Sequence, residues 1–321
     1  TVNGLTVAAR PAMQQQILNI WPKTPTGDLD LDHTPFALQA IVNRFDLRDP
    51  VNGSAGEGRL IYALTDPTFG FGEDFTVIIE YNLPAANDQA VTDWASRWHG
   101  LAAHPFPSEE YNTALEAVTR GFTDRNAAPS QINGSAVMQV RTNDLVLSPD
   151  GRWELREFQL SRTTGFLDEV TVKETPDLAF NNTQTFSDFV NQNEQAIIAV
   201  IPGAPSHTVP NQFEGANFVA GSALNDGFTV WNGPGIKNSE ARFHASLNTC
   251  NGCHGTETNT AFLMVFPRSR GTEAGLASFL TGTTAFDPFT GQPRTLNDLG
   301  RRKTDLTGVV CAPPVTPVAL K

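Results

Sequence analysis

One short stretch, Leu247 to His254, constrains this chain more than any other part of its 321 residues. It contains Cys250 and Cys253, which are the only cysteines close together in the sequence, and His254 follows the second one directly. In a helical turn, thiols at this spacing lie about one turn apart and point to the same side. The imidazole of the next residue can then turn toward whatever the thiols hold. The spacing therefore predicts that two thiols and one imidazole serve a single site.

The pattern Cys-x-x-Cys-His predicts a covalently attached haem. The two thiols can reach both vinyl groups on one edge of a porphyrin, and the histidine can serve as the proximal iron ligand. We therefore expect haem c, with thioether links at Cys250 and Cys253 and iron ligation by His254. The expected function is electron transfer or redox chemistry at one haem, and the sequence does not distinguish a carrier from an enzyme.

The segment around the motif resembles known haem-binding segments. Residues 239–254 are expected to form a helix that runs into the motif, which is similar to the way c-type cytochromes enter their haem site. The stretch from Ala241 to His254 is also similar to a set of exported bacterial proteins of uncharacterised function. The likeness is local, because Ser246 stands where small soluble cytochromes have an aromatic residue and no Met-Pro pair occurs downstream. It implies covalent haem and export, and it implies no particular substrate.

Three interpretations of the second iron ligand stay open. Met264 lies ten residues after His254 in the apolar run 261–267, which suits the wall of a haem site, and it is the first candidate. His244, on the helix that leads into the motif, is the second candidate. The third interpretation is an open position. A His/Met pair favours electron transfer at a raised potential, whereas an open position favours peroxide or oxygen chemistry.

The third cysteine, Cys311, allows an alternative without haem. A disulfide from Cys311 to Cys250 or Cys253 closes a loop of about sixty residues and stabilises the fold by about 4 kcal/mol. The chain would then be a non-enzymatic secreted or surface protein that binds a partner or self-assembles. A disulfide between Cys250 and Cys253 is a second alternative. Zinc held by His254 and the three cysteines ranks lower, because adjacent Cys253 and His254 do not easily face one ion.

The charge and hydropathy of the chain limit the classes of partner that we expect it to bind. The formal net charge is −12 and the isoelectric point is about 4.9, with no basic run, so neither nucleic acid nor an anionic membrane is an expected partner. No apolar run approaches the ~20 residues that a membrane span needs. The chain begins at Thr1, and we expect that a targeting segment has been removed. These features predict an extracytoplasmic location (periplasmic, cell-surface or secreted), with a redox partner protein or further copies of the chain as partners.

Hydrophobic periodicity predicts an α+β fold, in which a mixed or antiparallel sheet with packed helices precedes a mainly helical C-terminal segment that carries the motif. We expect an irregular segment over 1–35, an α+β core domain over 36–235 and a helical haem-binding segment over 236–321. The predicted strands are 37–45, 59–64, 75–81, 137–140, 145–147, 153–160 and 169–173. The predicted helices are 88–103, 108–123, 185–200, 239–248, 272–280 and 296–310.

Two carboxylates on one predicted strand allow two interpretations, a catalytic pair or ion pairs. Glu154 and Glu157 have the chemistry of a paired acid and base, such as glycosidases use. However, Arg141, Arg152, Arg156 and Arg162 lie near them in the sequence, so cross-strand ion pairs are the simpler prediction.

Overall fold

A central antiparallel sheet organises the protein, whose computed structural model describes residues 1–65, 72–131, 134–148, 151–199 and 209–311. The strands follow the chain in the order β1-β2-β3-β4-β5-β6, and a further strand, β9, pairs with β5 on the same edge as β6. The predicted α+β class is confirmed. The strands of this sheet are β1 (Phe36–Arg44), β2 (Ser54–Thr65), β3 (Gly72–Pro84), β4 (Val137–Asp144), β5 (Trp153–Leu160), β6 (Leu167–Val170) and β9 (Ala223–Asn225).

Two amphipathic helices cover one face of the sheet. They are α2 (Asp88–Gly100) and α3 (Glu109–Thr123). The side chain of Asn87 caps the first backbone N–H groups of α2, and the side chain of Ser108 does the same for α3. Trp94 and Phe122 of these helices pack on the sheet. Gly58 of β2 allows the close approach, because a Cβ there would lie 2.7 Å from the ring of Phe122. Both helices were predicted from their apolar spacing.

The remaining elements are short or lie toward the C-terminus. Trp231 and the phenylalanines of the helix at 184–192 (α4) form a second core. This core packs against the helix at 239–248 (α6), which leads into the motif. Three two-stranded sheets accompany these helices. The helices are α1 (Pro11–Met13), which continues as a π-turn over Gln14–Leu18, α4 (Gln184–Gln192), α5 (Glu194–Ile198), α6 (Ser239–Asn248), α7 (Cys250–Cys253), α8 (Ser278–Thr281) and α9 (Asp298–Val310). The small sheets pair β7 (Gln212–Phe213) with β8 (Ala216–Asn217), β10 (Val265–Phe266) with β11 (Gly275–Leu276), and β12 (Thr283–Phe286) with β13 (Pro293–Leu296).

Three local predictions were wrong. The helix predicted over 185–200 is broken at Asn193, whose side-chain amide donates to a carbonyl of the preceding turn. The helix predicted over 272–280 is a strand followed by a single turn, because Gly275 pairs with Phe266 across a hairpin. The strand predicted over 145–147 is a loop in which Asp144 accepts from the backbone N–H of Leu147. Of the predicted C-terminal segment the structure describes 236–311, where two hairpins accompany the helices.

The predicted cross-strand ion pairs are confirmed for Arg141 and Arg156. Arg141 Nε on β4 lies 3.1 Å from a Glu157 carboxylate oxygen on β5, and Arg156 Nη1 on β5 lies 3.2 Å from Glu169 on β6. Arg156 Nε also lies 3.0 Å from Glu154 of its own strand. Glu154 and Glu157 are three residues apart on one strand, so their side chains point to opposite faces and do not form a carboxylate pair. Within the described ranges, no helix is both long enough and apolar enough to cross a bilayer.

Candidate functional site

A cavity of about 340 Å³ lies between the C-terminal segment and the sheet face opposite α2 and α3. Its size falls within the range of small-molecule sites. Strands β1 to β5 form the floor, and the segment around α7 forms much of the remaining wall. Cys250, Cys253, His254 and Met264 all line this one cavity. The structure therefore brings together the four residues that the sequence analysis assigned to one site.

Asn251, between the two cysteines, anchors the motif on the side away from the cavity. Its side chain is fully buried, accepts a hydrogen bond from Trp231 Nε1 at 2.7 Å and donates one to the Leu224 carbonyl at 3.1 Å. Its own carbonyl accepts from Asn225 Nδ2 at 2.6 Å. These bonds hold the middle of the motif in the protein interior, while the flanking thiols line the cavity.

Gly252 completes the anchor through its small size. A Cβ at this position would lie 2.0 Å from the Ser246 carbonyl oxygen, so no larger residue fits without a backbone shift. Thr249 caps the short helix by accepting from the Gly252 N–H at 2.9 Å. The sequence analysis assigned no role to Asn251 or Gly252. The only signal available was the Asn-Gly pair itself, whose partners lie elsewhere in the chain.

His254 is held in one orientation and one tautomer. Its Nδ1 lies 2.5 Å from the Phe262 carbonyl oxygen, and since a carbonyl only accepts, Nδ1 carries the proton. Nε2 therefore keeps its lone pair, which is the state that a metal-binding histidine needs. The ring stacks on the buried Trp153, with centroids 5.1 Å apart and an interplanar angle of 20°. Burial lowers the pKa of His254 to about 4, so the ring is neutral near pH 7.

The two motif cysteines carry neutral thiols. Burial raises the pKa of Cys250 to about 11 and the pKa of Cys253 to about 12. Thiols of this kind do not suit rapid disulfide exchange, because that reaction requires the thiolate. Among the residues that the structure describes, no group of three or more His, Cys, Asp or Glu side chains is arranged to hold a metal ion. The zinc alternative therefore has no geometric support.

Cys311 lies apart from the motif cysteines. It is exposed at the end of α9, nine residues beyond the cavity-lining Arg302, which corresponds to about 13 Å along a helix axis. All three cysteines are free thiols in this structure.

The two candidates for a second iron ligand differ in position. Met264 lines the cavity beside β10, and its backbone carbonyl accepts from the Ala277 N–H at 3.0 Å. His244 is not part of the cavity wall; its ring packs against Phe243, with centroids 5.6 Å apart, and faces Glu240. The structure therefore places Met264, and not His244, with His254.

Four guanidinium groups complete the cavity wall, from Arg44, Arg59, Arg141 and Arg302. From the sequence, Arg141 was predicted only as an ion-pair partner, and no role was predicted for the other three. Arg44, Arg59 and Arg141 lie on three separate strands and Arg302 lies on α9, and nothing local in the sequence indicates that they converge.

No protein-family model, curated protein or solved structure matches this chain. The functional assignment therefore depends on the geometry of the cavity and on the chemistry of the residues that line it.

Proposed function

We propose that the protein is an extracytoplasmic mono-haem c-type protein that acts in electron transfer or haem redox chemistry. The observation that carries the proposal is that Cys250, Cys253, His254 and Met264 line one cavity. In this proposal the two cysteines hold haem c through thioethers, His254 is the proximal ligand and Met264 is the second ligand.

The residues of the cavity fit such a cofactor. A thioether forms when a thiol adds across a vinyl double bond, and both motif cysteines retain the sulfur-bound hydrogen that this addition uses. Asn251 fixes the turn between them, and the carbonyl of Phe262 leaves Nε2 of His254 free to bind iron. Apolar side chains form much of the remaining wall and exclude water: Val42, Ile61, Ile78, Leu155, Val265, Phe279 and Leu280.

Electron transfer is the activity that this ligand set favours. When bound, the haem supplies an iron that takes up and gives up one electron. A histidine and a methionine on the iron favour a stable low-spin centre at a raised potential. Trp153 and Phe262 hold the histidine ring in place, so its orientation does not depend on the ligand. The proposed partner is a redox protein outside the cytoplasm, and further copies of the chain are the second partner class.

The test is to export the protein in a host that has haem-attachment machinery. We expect a Soret band and a c-type pyridine haemochrome that survives acid-acetone extraction. Cys250→Ala and Cys253→Ala should each lose one thioether link, and the double variant should lose covalent haem entirely. Cys311→Ala is the matched control and should retain it, since Cys311 lies outside the cavity.

A colourless wild-type protein from that host would refute the proposal. The chain would then be a non-enzymatic secreted or surface protein that binds a partner or self-assembles, and its cysteines would serve as a crosslink. Disulfide mapping would identify the bond, with Cys311 to Cys250 or to Cys253 as the expected pairs.

A further inference from the structure

Four arginines line the cavity, although the formal net charge of the chain is −12. Arg44, Arg59 and Arg141 reach it from β1, β2 and β4, and Arg302 reaches it from α9. None of the described residues that form its wall is Asp or Glu. Guanidinium groups in a wall that includes no Asp or Glu residue are suited to a ligand with anionic oxygen atoms.

Each of the four arginines also pairs with a carboxylate residue that is not part of the wall. Arg44 Nε lies 3.0 Å from Asp46, and Arg302 pairs with Asp298. Arg59 Nη2 lies 2.5 Å from Glu57 and Arg59 Nε lies 3.2 Å from Glu80, while Arg141 lies between Glu80 and Glu157 at 3.6 and 3.1 Å. Glu80 and Glu157 are almost completely buried in the sheet face. Although burial acts in the opposite direction, these carboxylates raise the pKa of Arg141, so its guanidinium stays charged.

Arg141 keeps donor capacity that the protein does not use. Its Nε is buried and makes no hydrogen bond of good geometry, although the Glu157 oxygen lies 3.1 Å away. Arg302 Nε is likewise buried without an acceptor. Buried donors in folded proteins nearly always find an acceptor, and each guanidinium has five N–H groups. These two arginines line one cavity and keep N–H groups without a well-aligned acceptor, which favours an anionic ligand there.

We propose that Arg59 and Arg141, together with Arg44 and Arg302, bind the two propionate carboxylates of the haem. The inference rests on the proposed function and adds the residues that orient the cofactor. Guanidinium and carboxylate groups form short, charge-assisted bonds, and a guanidinium can donate two of them in parallel. A free oxyanion has the same chemistry, so the experiment must separate the two sources.

The experiment uses the Cys250→Ala, Cys253→Ala double variant, which cannot attach haem covalently. It is titrated with haemin and with haemin dimethyl ester, whose propionates are neutral. We expect the ester to bind about 10- to 100-fold more weakly, which is the effect of losing one hydrogen-bonded charged contact. Adding Arg141→Gln should weaken haemin binding by a similar factor and leave ester binding unchanged. Arg141→Lys, which keeps the charge and its pairing with the buried carboxylates, should recover part of the loss.

Arg120→Gln is the matched control, because Arg120 is an exposed arginine of α3 whose ion pair with Glu116 lies outside the cavity. It should change neither affinity. Equal affinity for haemin and its ester, with covalent haem present in the wild type, would overturn this inference and leave the proposed function intact. A covalent wild type whose double variant binds neither compound would also overturn it, since the carboxylate contacts would then add no affinity.

A third titration addresses free oxyanions. Inorganic phosphate added to the ferric wild-type protein should leave its spectrum unchanged. A phosphate-dependent change that Arg141→Gln abolishes, together with equal affinity for haemin and its ester, would assign the arginines to an exogenous anion instead. A colourless wild type whose double variant binds no haemin would refute the proposed function and this inference with it.

Discussion

Replacing Arg242 with methionine should destabilise the protein by about 3–5 kcal/mol, because the change leaves the buried carboxylate of Glu257 without its ion-pair partner and removes an arginine from buried Asp287. Arg242 lies on α6, just before the motif, and its side chain is 3% exposed. It lies 2.5 Å from Glu257 and 2.9 Å from Asp287, whose side chains are both completely buried. It also donates to the Trp231 carbonyl at 3.0 Å. This cluster connects α6, which leads into the motif, with the residues that follow the motif.

The assay is urea unfolding of the apoprotein, followed by tryptophan fluorescence and circular dichroism. With a slope near ~3 kcal/mol per M, the midpoint of Arg242→Met should fall by about 1–2 M at unchanged slope. Arg120→Met is the control, since its two carboxylate partners are more than half exposed and such pairs contribute at most about 1 kcal/mol. A loss below about 1 kcal/mol for Arg242→Met would refute the reasoning, because buried charges without a partner cannot be so well tolerated.

The same variant should alter the dependence of stability on pH. Although burial opposes the shift, the Phe289 backbone N–H and Arg242 hold the pKa of Asp287 below its usual range. A carboxylate with a lowered folded-state pKa contributes stability that is complete above its unfolded pKa of ~4 and is lost as the pH falls below that value. Between pH 5 and pH 3 the wild type should therefore lose more free energy of unfolding than Arg242→Met does.

Three further changes test the site itself. Met264→Ala should convert the ferric holoprotein from low spin to high spin in its visible spectrum, and an unchanged low-spin spectrum would exclude Met264 as a ligand. Gly252→Ala should cost about 1–3 kcal/mol and lower the yield of covalent haem, because the added Cβ meets the Ser246 carbonyl at 2.0 Å. Its control is Gly308→Ala, where nothing lies within 4 Å of the added atom, so equal losses in denaturant would contradict the argument. The folded-state pKa of His254 is lowered to about 4, so the apoprotein should lose stability as the pH falls from ~6.5 toward 4. His254→Gln should remove this dependence of stability on pH. An equal dependence in both proteins would contradict the burial of the ring.

The elements that could be predicted from the sequence are those whose signals are local. The helices at 88–103 and 108–123 were predicted nearly at their observed bounds, because apolar spacing and a capping serine lie within the segments themselves. The helix leading into the motif, Ser239–Asn248, was predicted from its likeness to the helix that precedes such motifs. The helix expected over 272–280 failed because its residues pair with a strand that the local pattern does not reveal.

The residues of the candidate site also differ in whether a local signal indicates them. Cys250, Cys253 and His254 are recognisable from spacing alone, since the chemistry fixes their separation in the sequence. The arginines of the cavity could not be predicted, because β1, β2 and β4 bring them together only when the sheet has formed. The carbonyl that sets the tautomer of His254 belongs to the backbone of Phe262, and a backbone group gives no signal in composition.

The position of the cavity has a consequence for the order in which the protein is assembled. Val42 and His254 line the same cavity but are separated by on the order of 200 residues, a contact whose formation carries a large loop-closure cost. Cys250, Cys253 and His254 lie within five consecutive residues, so the covalent haem attachment proposed above would require no finished sheet. Contacts with the sheet arginines, by contrast, form only when the first strands meet the C-terminal segment. Under the proposed function, the haem would therefore be attached early and enclosed late, and its final environment would form only after the first strands had packed against the C-terminal segment.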